Sequence, residues 1–87
     1  MEIRIDGAAM HTREAAHEEI ARAMDFPDYY GKNLDALWDM LTTTTAQVRL
    51  AAAAGMLNAL GSYGCRLLKT FYDAAEENPR LDFSVES

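Results

Sequence analysis

Asn33-Leu34-Asp35-Ala36-Leu37-Trp38-Asp39-Met40-Leu41-Thr42-Thr43-Thr44-Thr45-Ala46-Gln47-Val48-Arg49-Leu50 carries two periodicities in succession. In its first half Leu34, Leu37, Trp38 and Leu41 recur every three or four residues, the spacing of one helix face. Asn33 is a suitable N-cap for that helix, which is expected over about Leu34 to Leu41. Thr42 to Thr45 then stop it, because β-branched hydroxyl residues lose rotamer freedom in a helix and compete for its backbone hydrogen bonds. Gln47-Val48-Arg49-Leu50 alternates polar and apolar, the signature of a short strand. A helix handing over directly to a strand is half of a β-α-β unit.

Reading outward in both directions repeats the unit. Glu2-Ile3-Arg4-Ile5-Asp6 alternates as a strand and Asp6-Gly7 turns it. Thr12 can cap a helix to about Met24, with Ala16, Ile20, Ala23 and Met24 as its apolar stripe. Pro27 interrupts the pattern and pushes Phe26 towards extended geometry. Beyond Leu50, the alanine-rich stretch 51–60 reads as a short helix and Gly61-Ser62-Tyr63-Gly64 as a turn. A last helix runs from about Cys65 to Glu77, burying Leu67, Leu68, Phe71, Tyr72 and Ala75. Asn78-Pro79 ends it, and Leu81-Asp82-Phe83-Ser84-Val85 alternates again. Strands separated by helices favour a parallel sheet with right-handed crossovers. The expected fold is therefore α/β: three parallel strands packed with about four helices, one domain over residues 1–87.

Composition limits the function. The 87 residues carry a net charge of −6, so phosphate backbones repel the chain and a basic partner is favoured. One cysteine, Cys65, cannot form an internal disulfide, and no apolar run reaches membrane-spanning length. The reading is a soluble cytosolic protein without membrane or direct nucleic-acid binding. His11 and His17 lack metal-ligand partners at suitable spacing and read as surface residues; no cofactor or metal is expected. Cys65 reads as a buried or half-buried structural thiol. No Gly-rich phosphate loop is present, and the chain is not expected to be an enzyme.

Charge placement says more than its total. Asp25, Asp28, Asp35 and Asp39 face Lys32 alone over residues 25–41, which puts half the net charge on about a fifth of the chain. Asp35 and Asp39 are four apart and share a helix flank beside the apolar stripe. Tyr29, Tyr30 and Trp38 stand among these carboxylates, and aromatics with polar tips are frequent in protein–protein hot spots. Trp38 reads first as core or half-core, Asn33 first as a cap, and Gly31 first as a turn requirement. The residues alone support an acidic, aromatic-flanked helix for a cationic partner.

The run from Tyr29 to Asp39 resembles the signature of the barstar family of ribonuclease inhibitors, with Lys32 at a tolerant position. Sequence similarity is strong over about Pro27 to Thr42; the order of elements extends the resemblance over most of the chain. The resemblance implies an intracellular antidote to a basic, secreted, barnase-like ribonuclease, monomeric when free. It implies that Asp39 enters the enzyme's active site in place of a substrate phosphate and that Asp35 pairs with a basic residue at its rim. It implies that Tyr29 and Gly31 contact a catalytic histidine, that Tyr30, Asn33, Leu34 and Trp38 complete the surface, and that Thr42 is peripheral. Phe71-Tyr72-Asp73-Ala74 matches the family's Phe-x-acidic-Ala, which makes Asp73 a further contact. The chain departs from the family where Thr43, Thr44 and Thr45 replace an aromatic contact, and Asp73 is one methylene shorter than the glutamate it replaces. A barstar-like interaction module or antitoxin for another basic protein is the alternative.

Overall fold

The computed structural model describes residues 2–87. Strand β1 (Glu2–Asp6) leads through a 3-10 turn (Gly7–Ala9) to α1 (Arg13–Met24) and α2 (Leu34–Leu41). Strand β2 (Ala46–Ala51), α3 (Ala53–Leu60), α4 (Ser62–Glu77) and β3 (Leu81–Val85) follow. The strands lie in the order β1-β2-β3 and both pairings are parallel. The expected three-stranded parallel sheet with four helices is what forms.

The register explains why one layer of helices suffices. Ile3, Val48 and Phe83 share one rung and Ile5, Leu50 and Val85 another. Side chains alternate across a strand, so these rungs point to one face, where Ile5, Val48, Leu50 and Leu81 are buried. Glu2, Arg4, Gln47, Asp82 and Ser84 point the other way and are exposed. All four helices cover the apolar face. Their contribution to the core includes Ile20 from α1, Leu37 and Leu41 from α2, Met56 from α3, and Leu67 and Phe71 from α4. Phe71 stacks on Phe83 at 4.6 Å between centroids, seating α4 on β3.

Local chemistry fixes the ends of the helices. Thr12 Oγ1 accepts from the Ala15 amide at 3.0 Å, as its sequence position predicts. The chain leaves α1 through Asp25 in the left-handed region, φ 55°. Gly7 is the one glycine that close approach demands: a Cβ there would lie 2.5 Å from the carbonyl oxygen of Ala52. Asn78, buried, donates from Nδ2 to the carbonyls of Leu41 (3.0 Å) and Thr44 (2.7 Å). One side chain thereby ties the turn between α4 and β3 to the exit of α2.

Several expectations are corrected. Helix α4 begins at Ser62, not Cys65, because the break falls at Gly61 (φ 59°) and the inner face of the first turn is wanted in the core. Tyr63 and Gly64 are both buried there, with Gly64 packed against Met56 and Leu57. Cys65 consequently points outward and is exposed. Tyr72 is likewise about half exposed, its ring set edge-on to Phe83. His17 is not a surface residue: it is 1% exposed, next to Ala16 on the inner side of α1.

Candidate functional site

Helix α2 is short, and its ends are held by side chains. Asn33 adopts extended geometry and its Oδ1 accepts from the Ala36 amide at 2.8 Å. At the other end Thr42 Oγ1 donates to the Trp38 carbonyl at 2.9 Å and Thr43 Oγ1 to the Asp39 carbonyl at 3.2 Å. The Trp38 carbonyl also takes the Thr42 amide, whereas the Thr43 amide turns to Met40, so the threonine hydroxyls satisfy the Asp39 carbonyl that a further helical turn would have used. Leu37 and Leu41 are fully buried, Leu34 and Trp38 half-buried. That anchoring leaves Asp35 and Asp39 exposed on one flank. Neither is within ion-pair distance of a cation among the described residues. Asp35 lies in the first turn, where the helix dipole favours its charge.

The segment before α2 is pinned from below. Tyr30 is buried, and its hydroxyl lies 2.7 Å from His17 Nδ1; Nε2 of the same ring lies 2.7 Å from the Tyr63 hydroxyl. In either neutral tautomer one nitrogen donates and the other accepts. Burial, reinforced by the positive charge of Lys32, holds the His17 pKa below its ordinary value. Phe26 packs on the Tyr30 ring at 4.9 Å. Lys32 completes the turn with φ 53°, a left-handed geometry uncommon for a residue with a Cβ. Its ammonium meets Glu18 at 3.6 Å. Gly31 sits where an added Cβ would come 3.2 Å from Ala36 Cβ.

The structure sorts the expected site residues into three groups. Tyr29 (85% exposed), Gly31, Asn33, Asp35 and Asp39 are exposed, and Leu34, Trp38 and Thr42 are half-buried. Tyr30 is placed differently from these: its ring is buried and its hydroxyl has a buried partner in His17. Asp73 is brought beside Trp38 in a groove of about 300 Å³ between α2 and α4, which Glu76 and Glu77 also line. Asp73 accepts from Lys69 Nζ at 2.6 Å. That pair is exposed and screened by solvent, so a competing cation can displace the lysine. Glu76 and Glu77 share this groove because they stand three and four residues after Asp73, on the same face of α4.

Among the described residues, no three histidine, cysteine, aspartate or glutamate side chains are grouped to hold a metal, and no helix is long and apolar enough to cross a membrane. The arrangement is a short helix, capped at its start by Asn33, that carries two exposed carboxylates beside the half-buried Trp38.

The sequence profile described as Barstar (barnase inhibitor) matches residues 1–87, and the chain belongs to that family. It is 40% identical over 79 residues, 84% of either chain, to a Bacillus subtilis (strain 168) protein named "Putative ribonuclease inhibitor YrdF".

Proposed function

We propose that this protein inhibits a basic ribonuclease of the barnase type inside the cell that makes it, by filling the enzyme's active site with the carboxylates of α2. The observation that carries the reading is the pair Asp35 and Asp39: exposed, without a cationic partner among the described residues, and mounted on a helix whose other side is buried in the core. A ribonuclease site must be positive to hold phosphate. A carboxylate on an ordered helix can take the place of that phosphate through charge-assisted hydrogen bonds, with little conformational entropy lost on docking. Tyr29 and Gly31 supply a ring and an open backbone for a partner group beside Asp39, and the Trp38–Asp73 groove receives a second cation. Family membership and the name of the Bacillus relative support the same role.

The test is titration of a basic microbial ribonuclease with the purified protein, reading RNA cleavage. Stoichiometric loss of activity is expected. Asp39→Ala should weaken inhibition by about 30-fold or more, the roughly 2 kcal/mol of a hot-spot side chain. Full cleavage in the presence of excess wild-type protein, across several such enzymes, would refute the proposal.

Thr43 to Thr45 leave the exit of α2 without an aromatic contact, which favours a second reading: the same helix flank caps a different basic protein. Recovery of a non-nuclease that binds wild type but not Asp39→Ala would decide for it.

A further inference from the structure

A groove of about 500 Å³ lies beside the acidic flank of α2, and its walls differ in chemistry from that flank. Arg13 and Glu14 from the first turn of α1 and Arg66 from α4 line it together with Lys32, Asn33, Leu34 and Asp35 from the start of α2. Among the described residues the ion pairs engage Arg22, Lys32, Arg49 and Lys69 and leave Arg4, Arg13, Arg66 and Arg80 with no carboxylate partner; two of these four, Arg13 and Arg66, line this one groove. This happens in a chain with 14 acidic and 8 basic side chains. Arg13 is also held in place: its guanidinium lies 4.4 Å above the Tyr63 ring, and the Tyr63 hydroxyl is fixed by buried His17. A stacked guanidinium with its hydrogen-bond donors free is preorganised to bind a planar oxyanion.

We infer that this groove receives an acidic side chain of the ribonuclease, carried at the rim of its basic cleft and clasped by Arg13 and Arg66 while the cleft itself takes Asp35 and Asp39. The inference rests on the proposed function. The groove is continuous with the binding surface, since Asn33, Leu34 and Asp35 belong to both. Its mixed lining selects among anions. A polyanion such as RNA would meet Asp35, Glu14 and a net charge of −6. A protein that offers a carboxylate to the arginines and a cation to Asp35 satisfies both at once. The arginines would thereby set which basic ribonuclease is accepted, because an enzyme with a cation at that rim position meets two guanidiniums.

The experiment measures binding of a ribonuclease that wild-type protein inhibits, using Arg66→Gln, Arg13→Gln and the double variant. Each substitution makes the inhibitor more negative, so long-range attraction to a basic enzyme strengthens. If the arginines are bystanders, affinity rises or stays level. The inference predicts the opposite: Kd rises about tenfold or more for each, chiefly through faster dissociation, and Arg66→Lys restores part of the loss. An alanine scan of the enzyme's rim aspartates and glutamates should find one whose loss is not additive with Arg66→Gln. Arg66 makes no described contact with the core, so its variant stays interpretable if Arg13→Gln lowers the melting temperature. Unchanged or tighter binding by Arg66→Gln and Arg13→Gln overturns the groove while leaving the inhibitor function intact. Absence of any wild-type binding fails the function itself and the groove with it. Retention of a labelled oligonucleotide by wild type but not by the double variant assigns the groove to nucleic acid and overturns it as well.

Discussion

Replacing His17 with phenylalanine should be among the most damaging single changes in the chain, although the ring touches no exposed surface. The imidazole is 1% exposed and satisfies two tyrosine hydroxyls, Tyr30 and Tyr63, each at 2.7 Å. Phenylalanine of similar shape would leave both hydroxyls without a partner. A buried polar group left unpaired costs about 1–3 kcal/mol. Tyr30 is 7% and Tyr63 9% exposed, so some water reaches each and the lower half of that range applies. The expected loss is therefore about 3 kcal/mol, against a total of about 5–15 kcal/mol for a typical domain. For a domain this size it corresponds to a drop in Tm of about 12–24 °C. The same ring gives a pH signature. Its folded pKa lies below the ordinary 6.5, first because burial disfavours the charged form and second because Lys32 repels it. Below pH 6.5 the unfolded chain binds a proton that the folded chain refuses. The stability from this group is thus complete above pH 6.5 and is lost as pH falls towards the folded pKa, with a slope of at most about 1.4 kcal/mol per pH unit. Circular-dichroism melts and denaturant titrations of both proteins between pH 5 and 8 check the claim. A loss under about 1 kcal/mol for His17→Phe, or an unchanged pH slope, would refute the reasoning.

Other outcomes follow from the same contacts. Asn33→Ala removes the side-chain cap of α2 and should lower stability by about 1 kcal/mol, seen as a denaturation midpoint shifted at constant m-value, with Asn33→Ser restoring most of it. Gly7→Ala should cost about 3 kcal/mol or more, because the methyl would press on backbone carbonyls at 2.5 and 2.6 Å that cannot move without displacing the exit of β2. Soluble yield and Tm are the readouts, and near-native values would show that the turn relaxes. Acidification should release a second transition separate from that of His17. Hydrogen bonding from Arg22 holds the Glu19 pKa below the ordinary 4.5, so its contribution is present above that value and lost as pH falls through the folded pKa. Glu19→Gln should flatten that acid limb.

Much of the molecule was legible because its determinants are local. Thr12 and Asn33 mark helix starts by their own hydrogen bonds, Pro27 marks a break, and alternation marks three strands whose register places the large apolar residues on one face. The acidic flank of α2 was legible for the same reason, since four-residue spacing fixes relative direction on a helix. What failed to show was long-range. Nothing near His17 in the sequence announces Tyr63, 46 residues away, and without that partner a histidine reads as solvated. Tyr29 and Tyr30 look equivalent in the sequence, yet in a loop neighbouring side chains turn opposite ways, and only the second found a buried acceptor or donor. Ser62 to Gly64 have the composition of a turn. They are helical because the junction of α3 with α4 needs a small residue against Met56 and a ring over the end of α1. The groove between Arg13 and Arg66 joins the first turn of α1 to α4, a proximity no local pattern encodes.

The uncovered face of the sheet makes this a one-sided object. Gln47 and Ser84 point away from every helix, so a fluorophore, a surface linker or a fused domain attached there leaves α2 facing open solution. A bound enzyme would occupy only the helical side, and the chain could be tethered by its strands throughout an association measurement.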